Sequence, residues 1–345
     1  MSKQIAFGLD IGQSSIKAVS FKKSGDKFEI DFVSVAPPFE KGIDSESLAD
    51  QQVLAQSIKK MLDEAGVKKP QVNISLPENK IFTKIIEMPF ISEKELSSAL
   101  KWEMEQYIPL PLEQVRTDFQ LLNTMDNGKT KRIRVFIVAA PIAIVEKYEK
   151  ILEMAGLVPQ TIETEIISTI RALNPLINTP QPSVVVSLGA STSNIAIVKN
   201  GILQTVYSID LGGVAISRAI ASELGISIEE AENYKKAYGL SKEAFDGKIG
   251  KSLNPILESI AGDIKKAMFS YKERNINEEI GQVVLSGGTA LLPGIDAFLT
   301  NTLNTQVVIG RSWSVYNVTN VPEEILYDAP SYNVVAGLAL KDFFD

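Results

Sequence analysis

Two stretches of the chain share one local pattern, and this repeat constrains the fold more than any other feature. Residues 7–21 read FGLDIGQSSIKAVSF, and residues 183–201 read SVVVSLGASTSNIAIVKNG. In each stretch an apolar run leads into a turn of small and hydroxyl residues, and a second strand-like run follows. Each stretch therefore predicts a β-hairpin, and the repeat predicts a duplicated fold with two lobes.

The turns of these hairpins have the composition of a phosphate site. Small residues and hydroxyls leave backbone N–H groups open to an anion, and Asp10 stands where the first strand becomes turn. If the two turns face each other, each can hold one side of a polyphosphate in a cleft between the lobes. Either hairpin alone is also typical of an ordinary strand connection, so the prediction depends on the pair.

The composition limits the chemistry and the partners of the chain. The 345 residues include no cysteine and no histidine, which excludes disulfides, thiol nucleophiles, zinc sites and imidazole catalysis. The net charge of −7, without a block of basic residues, argues against nucleic acid as a partner. Any chemistry must therefore use carboxylates, hydroxyls, lysines, the backbone and a bound metal.

The apolar segments indicate a cytoplasmic protein. The N-terminal MSKQIAFGLD lacks the apolar segment of a signal peptide, and the longest apolar run, residues 135–145, is too short to span a bilayer. The C-terminal LALKDFFD follows an apparent helix without an amphipathic anchor. We expect no direct membrane insertion, so any attachment to a membrane should go through a partner.

The rest of the chain divides around the two hairpins. Residues 71–157 predict a small α+β insert, and residues 174–182, with three prolines, predict a linker between the lobes. The predicted domains are a first lobe of residues 1–70 and 158–180, the insert of residues 71–157, and a second lobe of residues 181–345 with a subdomain at roughly 214–280.

Two further features of the second lobe suit a flat ligand. Gly287 and Gly288 follow a buried-strand run and form a turn without side chains, so another molecule can approach the backbone closely. Glu232 and Lys235 share one face of a predicted helix. The alternatives are a routine strand-to-helix turn and a solvated ion pair worth about 0.3 kcal/mol.

Taken in order, these features resemble the actin-like ATPase superfamily and, within it, the PilM family of type IV pilus assembly. FGLDIGQSSIKAV resembles the first phosphate motif, VVVSLGASTSNIAIV the second, and LSGGTALLPGI the adenosine motif. A segment containing WEMEQYIP resembles the PilM insert, which actin, chaperones and sugar kinases lack. The resemblance covers nearly the whole chain. It implies an α/β actin-like ATPase fold with two RNase H-like lobes and an insert of the subdomain 1C type in the first lobe.

The resemblance also implies a site for ATP or ADP with Mg²⁺. Asp10 would hold the metal through water, the two turns and Lys17 would contact the phosphates, and Glu232 and Lys235 would reach the ribose and adenine. The implied cofactor-binding residues are Asp10, Gly12, Gln13, Ser14, Ser15, Lys17, Gly189, Ala190, Ser191, Thr192, Glu232, Lys235, Gly287, Gly288 and Thr289.

The second hairpin departs from the family pattern at one position. Where the family has Asp-Ile-Gly, this chain has Ser187-Leu188-Gly189, so a carboxylate that helps to hold the water shell of the metal is missing. The departure implies nucleotide binding with weak or absent hydrolysis. Glu165 is the remaining candidate for orienting an attacking water, and its alternative role is that of a surface or structural carboxylate.

The function implied by the resemblance is that of a cytoplasmic ATP-binding scaffold of the type IV pilus assembly platform. A groove next to the insert would capture the cytoplasmic N-terminal peptide of the membrane-anchored protein PilN, with strand pairing as one mode of binding. Self-association into rings or filaments would follow from head-to-tail contacts between similar lobes.

Three alternatives make different predictions. An FtsA-like cell-division protein should carry an amphipathic C-terminal helix, and a small-molecule kinase of the same superfamily should phosphorylate an acceptor. A plain interaction module should show no thermal shift with ATP.

Overall fold

The structure, a computed structural model, describes residues 5–38, 43–91, 93–126, 128, 130–241 and 243–344. The strands in these residues are β1 (Phe7–Ile11), β2 (Ile16–Ser24), β3 (Lys27–Ala36), β4 (Gln71–Leu76), β5 (Phe82–Pro89), β6 (Val115–Asp126), β7 (Lys131–Pro141), β8 (Val158–Thr164), β9 (Ser183–Leu188), β10 (Ser193–Lys199), β11 (Ile202–Ile209), β12 (Gln282–Ser286) and β13 (Val307–Ile309).

The helices in the same residues are α1 (Leu48–Glu64), α2 (Glu93–Tyr107), α3 (Ile142–Met154), α4 (Glu165–Ile177), α5 (Gly213–Leu224), α6 (Ile228–Tyr238), α7 (Lys248–Arg274), α8 (Ile295–Leu303), α9 (Ser312–Val315), α10 (Glu323–Leu326) and α11 (Asn333–Phe344). Short 3₁₀ turns lie at Glu78–Lys80, Leu112–Gln114, Ala244–Gly247, Gly288–Leu291 and Ala329–Tyr332. None of the helices in the described residues combines the length and the apolarity needed to cross a bilayer.

Two five-stranded sheets have the same topology, which confirms the predicted duplication. The strand order is β3-β2-β1-β4-β8 in the first sheet and β11-β10-β9-β12-β13 in the second. In both sheets the first three strands are antiparallel and the last three are parallel. Both predicted hairpins are therefore present, as β1-β2 and β9-β10.

The register of the hairpins gives the equivalent residues of the two lobes. Asp10 lies opposite Lys17 in the first hairpin, and Ser187 lies opposite Asn194 in the second. The first glycine of each turn comes two residues after the first member of its pair, at Gly12 and at Gly189. The second lobe thus has a hydroxyl and an amide where the first lobe has a carboxylate and an ammonium.

Each sheet is covered by helices because its central strands direct apolar side chains toward them. The first-lobe core joins side chains of β1 and β4 to α1 and α3, and the second-lobe core joins β9 and β12 to α5, α7 and α8. Parallel strands buried on both faces need such cover from helices. The result is the predicted α/β architecture.

The insert has its own three-stranded sheet, β5-β7-β6, and its helix α2 packs on that sheet. Apolar residues at four-residue spacing predict this helix, and all of them are buried, namely Leu96, Leu100, Met104 and Ile108. The predicted start at residue 71 is wrong, however, because β4 pairs with β1 and β8 in the first-lobe sheet. Residues 72–76 of β4 are all buried, which requires cover on both faces of the sheet.

The predicted linker is shorter than residues 174–182, because Asn174 to Ile177 form the last turn of α4. Pro175 lies inside this helix and cannot donate to the carbonyl of Arg171. The hydroxyl of Tyr316 donates to that carbonyl instead, over 2.6 Å. The helix therefore continues past the proline, and the connection is confined to residues 178–182.

The last helix of the chain packs on the first lobe, although the sequence places it in the second. A Cβ on Gly8 would lie 2.3 Å from the carbonyl oxygen of Val335, and one on Gly337 would lie 1.9 Å from that of Ser168. These two glycines let α11 approach β1 and α4 closely. Asn73 of β4 donates to the carbonyl of Leu338 over 3.2 Å. The C-terminal residues therefore complete the first-lobe core.

Candidate nucleotide site

The two turns predicted to bind phosphate have the same backbone geometry. The amide of Gly12 donates to the carbonyl of Ser15 over 3.1 Å, and the amide of Gly189 donates to the carbonyl of Thr192 over 2.9 Å. A Cβ would lie 3.0 Å from the acceptor oxygen in the first turn and 2.8 Å from it in the second. A side chain at this position would crowd the first turn and displace the second, which explains the repeated glycine.

The tips of the two turns meet across the boundary between the lobes. The hydroxyl of Ser191 in the second turn donates to the side-chain carbonyl of Gln13 in the first turn. Gln13, Ser14 and Ser191 are exposed to solvent. This contact brings the two turns together at the boundary between the lobes.

Lys17 lies in the same region, and its ammonium already has partners. It donates to the carbonyl and the hydroxyl of Ser331, over 2.7 and 2.8 Å, and lies 4.6 Å from the ring centre of Tyr332. Burial lowers the pKa of Lys17, while the charges of Asp10 and Asp328 oppose that shift. The 3₁₀ turn at 329–332 is therefore part of the site, which the sequence did not indicate.

Asp10 has the environment of a carboxylate that lacks a full counter-charge. Burial raises the pKa of Asp10, and the charge of Lys17 opposes the shift only in part. No group of three or more acidic, cysteine or histidine residues in the described parts of the chain forms a metal cage. The donor set fits Mg²⁺, which often binds through one carboxylate, waters and substrate phosphates.

Glu165 lies at the boundary between the lobes, at the first position of α4. The side-chain amide of Asn194 in β10 donates to its carboxylate over 3.2 Å. Burial raises the pKa of Glu165 well above its usual value, and the nearby charges of Asp10 and Glu78 raise it further. Glu165 is half-buried, and it lies close enough to Asp10 for the two charges to interact.

Glu78 is a buried carboxylate next to this site that the sequence analysis missed. It is only 4% exposed, and its Oε2 accepts from the amide of Ile166 at the start of α4, over 3.4 Å. Burial raises the pKa of Glu78 to about 8, although hydrogen bonds to Ile166, Thr164 and Glu165 oppose the shift. The sequence pattern that could have indicated it is an acidic residue two positions after the buried strand β4.

On the second-lobe side, the buried Lys235 pairs with the half-buried Glu232. The ammonium of Lys235 donates to Glu232 over 2.6 Å and to the carbonyl of Gly213 over 3.2 Å, and Ser217 donates to the same carboxylate over 2.5 Å. Burial opposes ionisation, but the Lys235 and Ser217 hydrogen bonds hold the pKa of Glu232 below its usual value. Lys235 is 7% exposed and the side chain of Glu232 is 35% exposed, so only the carboxylate of the pair is in contact with solvent.

The Gly-Gly-Thr turn lies directly behind the second phosphate turn. The hydroxyl of Thr289 donates to the carbonyl of Gly189 over 3.2 Å, and the amide of Gly213 donates to the same carbonyl over 2.9 Å. Gly287 has a φ of +84° and lies against the backbone of Leu188. Gly189 of the second turn thus contacts both the Gly-Gly-Thr turn and Gly213 at the start of α5.

Comparisons with known proteins identify the family. The family model described as type IV pilus assembly protein PilM matches residues 8–343. The solved structure of a PilM-PilN type IV pilus biogenesis complex is 26% identical, with a TM-score of 0.85, over 98% of this chain and 98% of that chain.

More distant relatives share the architecture. The cell division protein FtsA of Streptococcus pneumoniae serotype 2 is 26% identical over 331 residues, which are 84% of this chain and 71% of that protein. MreB5 of Spiroplasma citri bound to AMPPNP is 14% identical, with a TM-score of 0.54, over 100% of this chain and 97% of that chain, which supports the fold alone. With the duplicated sheets and the insert, these matches show that the chain belongs to the PilM family of type IV pilus assembly proteins and has the actin-like ATPase fold.

Proposed function

We propose that the protein is a cytoplasmic, ATP-binding scaffold of the type IV pilus assembly platform, and that nucleotide sets the relative position of its two lobes. The observation that carries this proposal is the contact between Ser191 and Gln13, which joins the two glycine turns across the lobe boundary. A triphosphate between the turns would contact both lobes. ADP lacks the γ-phosphate contacts, so its occupancy would favour a more open arrangement.

The residues around the cleft have complementary roles in this proposal. Backbone amides at the two turn tips bind phosphate oxygens, and Lys17 supplies a positive charge. Asp10 holds Mg²⁺ through water, and the metal neutralises part of the phosphate charge. Glu232 and Lys235 bind the ribose and adenine, and residues 287–289 form the wall behind the α-phosphate and the base.

Hydrolysis is weak or absent in this proposal, because the second lobe lacks one carboxylate. The register puts Ser187 where the first lobe has Asp10. Glu165 is the candidate for orienting water, and the amide of Asn194 already donates to it. Without a second carboxylate on the metal-water shell, the chain binds nucleotide as a switch and turns it over slowly.

The partner in this proposal is the cytoplasmic N-terminal peptide of a PilN-like membrane protein, which would hold the scaffold at the inner membrane. The match to a PilM-PilN complex supports the choice of partner. A groove of about 280 Å³ lies between the insert and β11 of the second lobe. It is bounded by β5, which is an edge strand of the insert sheet and can pair with an extended peptide. The lining residues include Phe82, Thr83, Tyr107, Ile108, Ile137 and Val206.

Self-association into rings or filaments is part of the same proposal, because two similar lobes can make head-to-tail contacts. Sedimentation velocity with and without Mg·ATP tests it, and a monomer under both conditions contradicts it.

Calorimetric titration with Mg·ATP and Mg·ADP tests the nucleotide proposal, with phosphate release measured separately. We expect binding by the parent protein and by Ser187→Asp, and loss of most binding in Asp10→Ala. Phosphate release should be faster only in Ser187→Asp. Absence of binding by the folded parent protein contradicts the proposed function, and efficient hydrolysis by the parent contradicts the role of Ser187.

A further inference from the structure

The 3₁₀ turn at Glu78–Lys80 contacts both lobes and leads into the insert. Glu78 caps the start of α4, and the side-chain amide of Asn79 donates to Asp210 of the second lobe over 3.2 Å. The ammonium of Lys80 lies 3.1 Å from the carboxylate of Asp44. Three consecutive side chains thus hold three different parts of the molecule.

Two of these contacts lead to the candidate nucleotide site. Asp44 also accepts a hydrogen bond of 3.5 Å from the side-chain amide of Gln13, which is the residue that meets Ser191. Glu78 binds the backbone directly after Glu165. The turn at 78–80 is therefore connected to the first phosphate turn through Asp44 and to Glu165 through α4.

On its other side the same turn forms part of the groove. Glu78 lines the groove together with Phe82, Thr83 and Lys84 of β5. Its Oε1 is buried and has no hydrogen-bond partner among the described residues. A buried carboxyl oxygen without a hydrogen-bond partner is costly. A change in the partners of this group therefore changes the free energy of the folded state by far more than the same change at an exposed site.

We propose that Glu78 is a positioning residue that couples the groove beside the insert to the nucleotide cleft. An occupant of the groove that moves Glu78 shifts the start of α4 and with it Glu165. A nucleotide that moves the lobes shifts Glu78 and the groove wall in return, because coupling between two binding sites is reciprocal. This inference rests on the proposed function, since it requires nucleotide in the cleft.

The absence of cysteine from the chain allows a direct test. The variant Lys84→Cys carries one thiol at an exposed position in the groove, and it can be labelled with an environment-sensitive fluorophore. Mg·ATP is then titrated while binding is followed by calorimetry. We expect a fluorescence change that saturates together with binding.

Variants of Glu78 in the labelled protein identify its role. Glu78→Ala and Glu78→Leu remove the acceptor, and we expect them to bind Mg·ATP while the fluorescence change is lost. Glu78→Gln keeps a carbonyl acceptor for α4 and should retain the change. Glu78→Leu preserves most of the side-chain volume and serves if Glu78→Ala does not fold. Glu87→Gln, on the same strand as the label at position 84 but outside the groove, is the control and should behave as the parent.

The outcomes separate this inference from the proposed function. If the labelled parent binds no nucleotide, the proposed function fails and the coupling fails with it. If nucleotide binds and the fluorescence of the label does not change, the coupling is overturned and the proposed function stands. A full response in Glu78→Leu overturns the role of Glu78.

Discussion

Asn194 donates a hydrogen bond to the carboxylate of Glu165 over 3.2 Å, and it does so from the register position that Lys17 holds in the first lobe. The duplicated hairpins therefore differ at both members of one cross-strand pair. The first lobe has a carboxylate beside an ammonium, and the second has a hydroxyl beside an amide. This difference leaves Glu165 with a neutral partner in the second lobe.

We expect Ser187→Asp to have opposite effects with and without ligand. Ser187 lies opposite Asn194, so a new carboxylate there points to the same side of the sheet as the partner of Glu165. Without ligand, a second buried negative charge should lower the free energy of unfolding by about 1 to 3 kcal/mol. With Mg·ATP, the added carboxylate should increase phosphate release.

Urea denaturation and a phosphate-release assay measure the two effects. The side chain introduced by Ser187→Asn has nearly the same size as that of Ser187→Asp but no charge. This variant should therefore show neither the lower free energy of unfolding nor the faster phosphate release. Equal phosphate release by the two variants would contradict an electrostatic role for this position.

A methyl group in the second phosphate turn should disturb the site. The Cβ of Gly189→Ala would lie 2.8 Å from the carbonyl of Thr192, so the turn must shift. We expect a loss of about 1 to 3 kcal/mol in the free energy of unfolding and weaker binding of Mg·ATP.

The matched control for this glycine is Gly262, which lies inside α7. A Cβ there meets nothing within 4 Å, so Gly262→Ala should raise stability by about 1 kcal/mol through helix propensity. Thermal denaturation and calorimetry compare the two variants. Similar changes in the free energy of unfolding of the two variants would show that the Gly189 turn accommodates the added Cβ without strain.

The parts of the fold that depend on local pattern could be predicted from the sequence. Apolar runs on either side of turns of small residues predict both hairpins, and apolar residues at four-residue spacing predict α2. The sheet membership of β4 could not be predicted, because it depends on pairing with β1 and β8, and a buried apolar strand has no local feature that names its neighbours.

The same limit applies to the site. The glycine turns and Asp10 can be recognised from the residues next to them in the sequence. In contrast, Lys17 binds Ser331, which is 314 residues away, and Glu78 caps a helix at Ile166, which is 88 residues away. Contacts of this kind are set by topology. A lysine within a buried strand, or a glutamate two positions after one, is therefore a stronger candidate site residue than its residue type alone suggests.

Lys235 and Lys236 both approach Glu232, yet we expect different effects from replacing them. Lys235 is buried and lies 2.6 Å from the carboxylate, whereas the side chain of Lys236 is 70% exposed and lies 3.5 Å from it. Removing Lys235 takes one donor from Glu232 and one from the carbonyl of Gly213, while the hydroxyl of Ser217 remains within hydrogen-bond distance of both. Lys235→Ala should therefore lower the free energy of unfolding by about 1 to 3 kcal/mol.

Lys236→Ala should change the free energy of unfolding by less than about 1 kcal/mol. Chemical denaturation measures both variants, and titration with Mg·ATP shows whether loss of the buried lysine also weakens nucleotide binding. Equal stability losses would contradict the buried character of the Lys235 pair.

The stability of the protein should fall as pH rises from about 5 to about 8, and Glu78 should account for a large part of that fall. Burial raises the pKa of Glu78 from its usual 4.5 to about 8. In this window the folded protein keeps a proton that the unfolded chain has released, so the free energy of unfolding decreases with pH and levels off above about 8. The raised pKa values of Asp10 and Glu165 act in the same direction.

Glu78→Gln cannot ionise, and its amide oxygen can still accept from the amide of Ile166. We expect a flatter pH profile and, above about pH 8, a stability higher than that of the parent by on the order of a few kcal/mol. Urea denaturation across the pH range measures this difference. Glu87→Gln, with a half-exposed carboxylate, should keep the profile of the parent. A parent-like slope in Glu78→Gln would mean that Glu78 is already ionised in the folded protein, and the cap on α4 would then be a charged one.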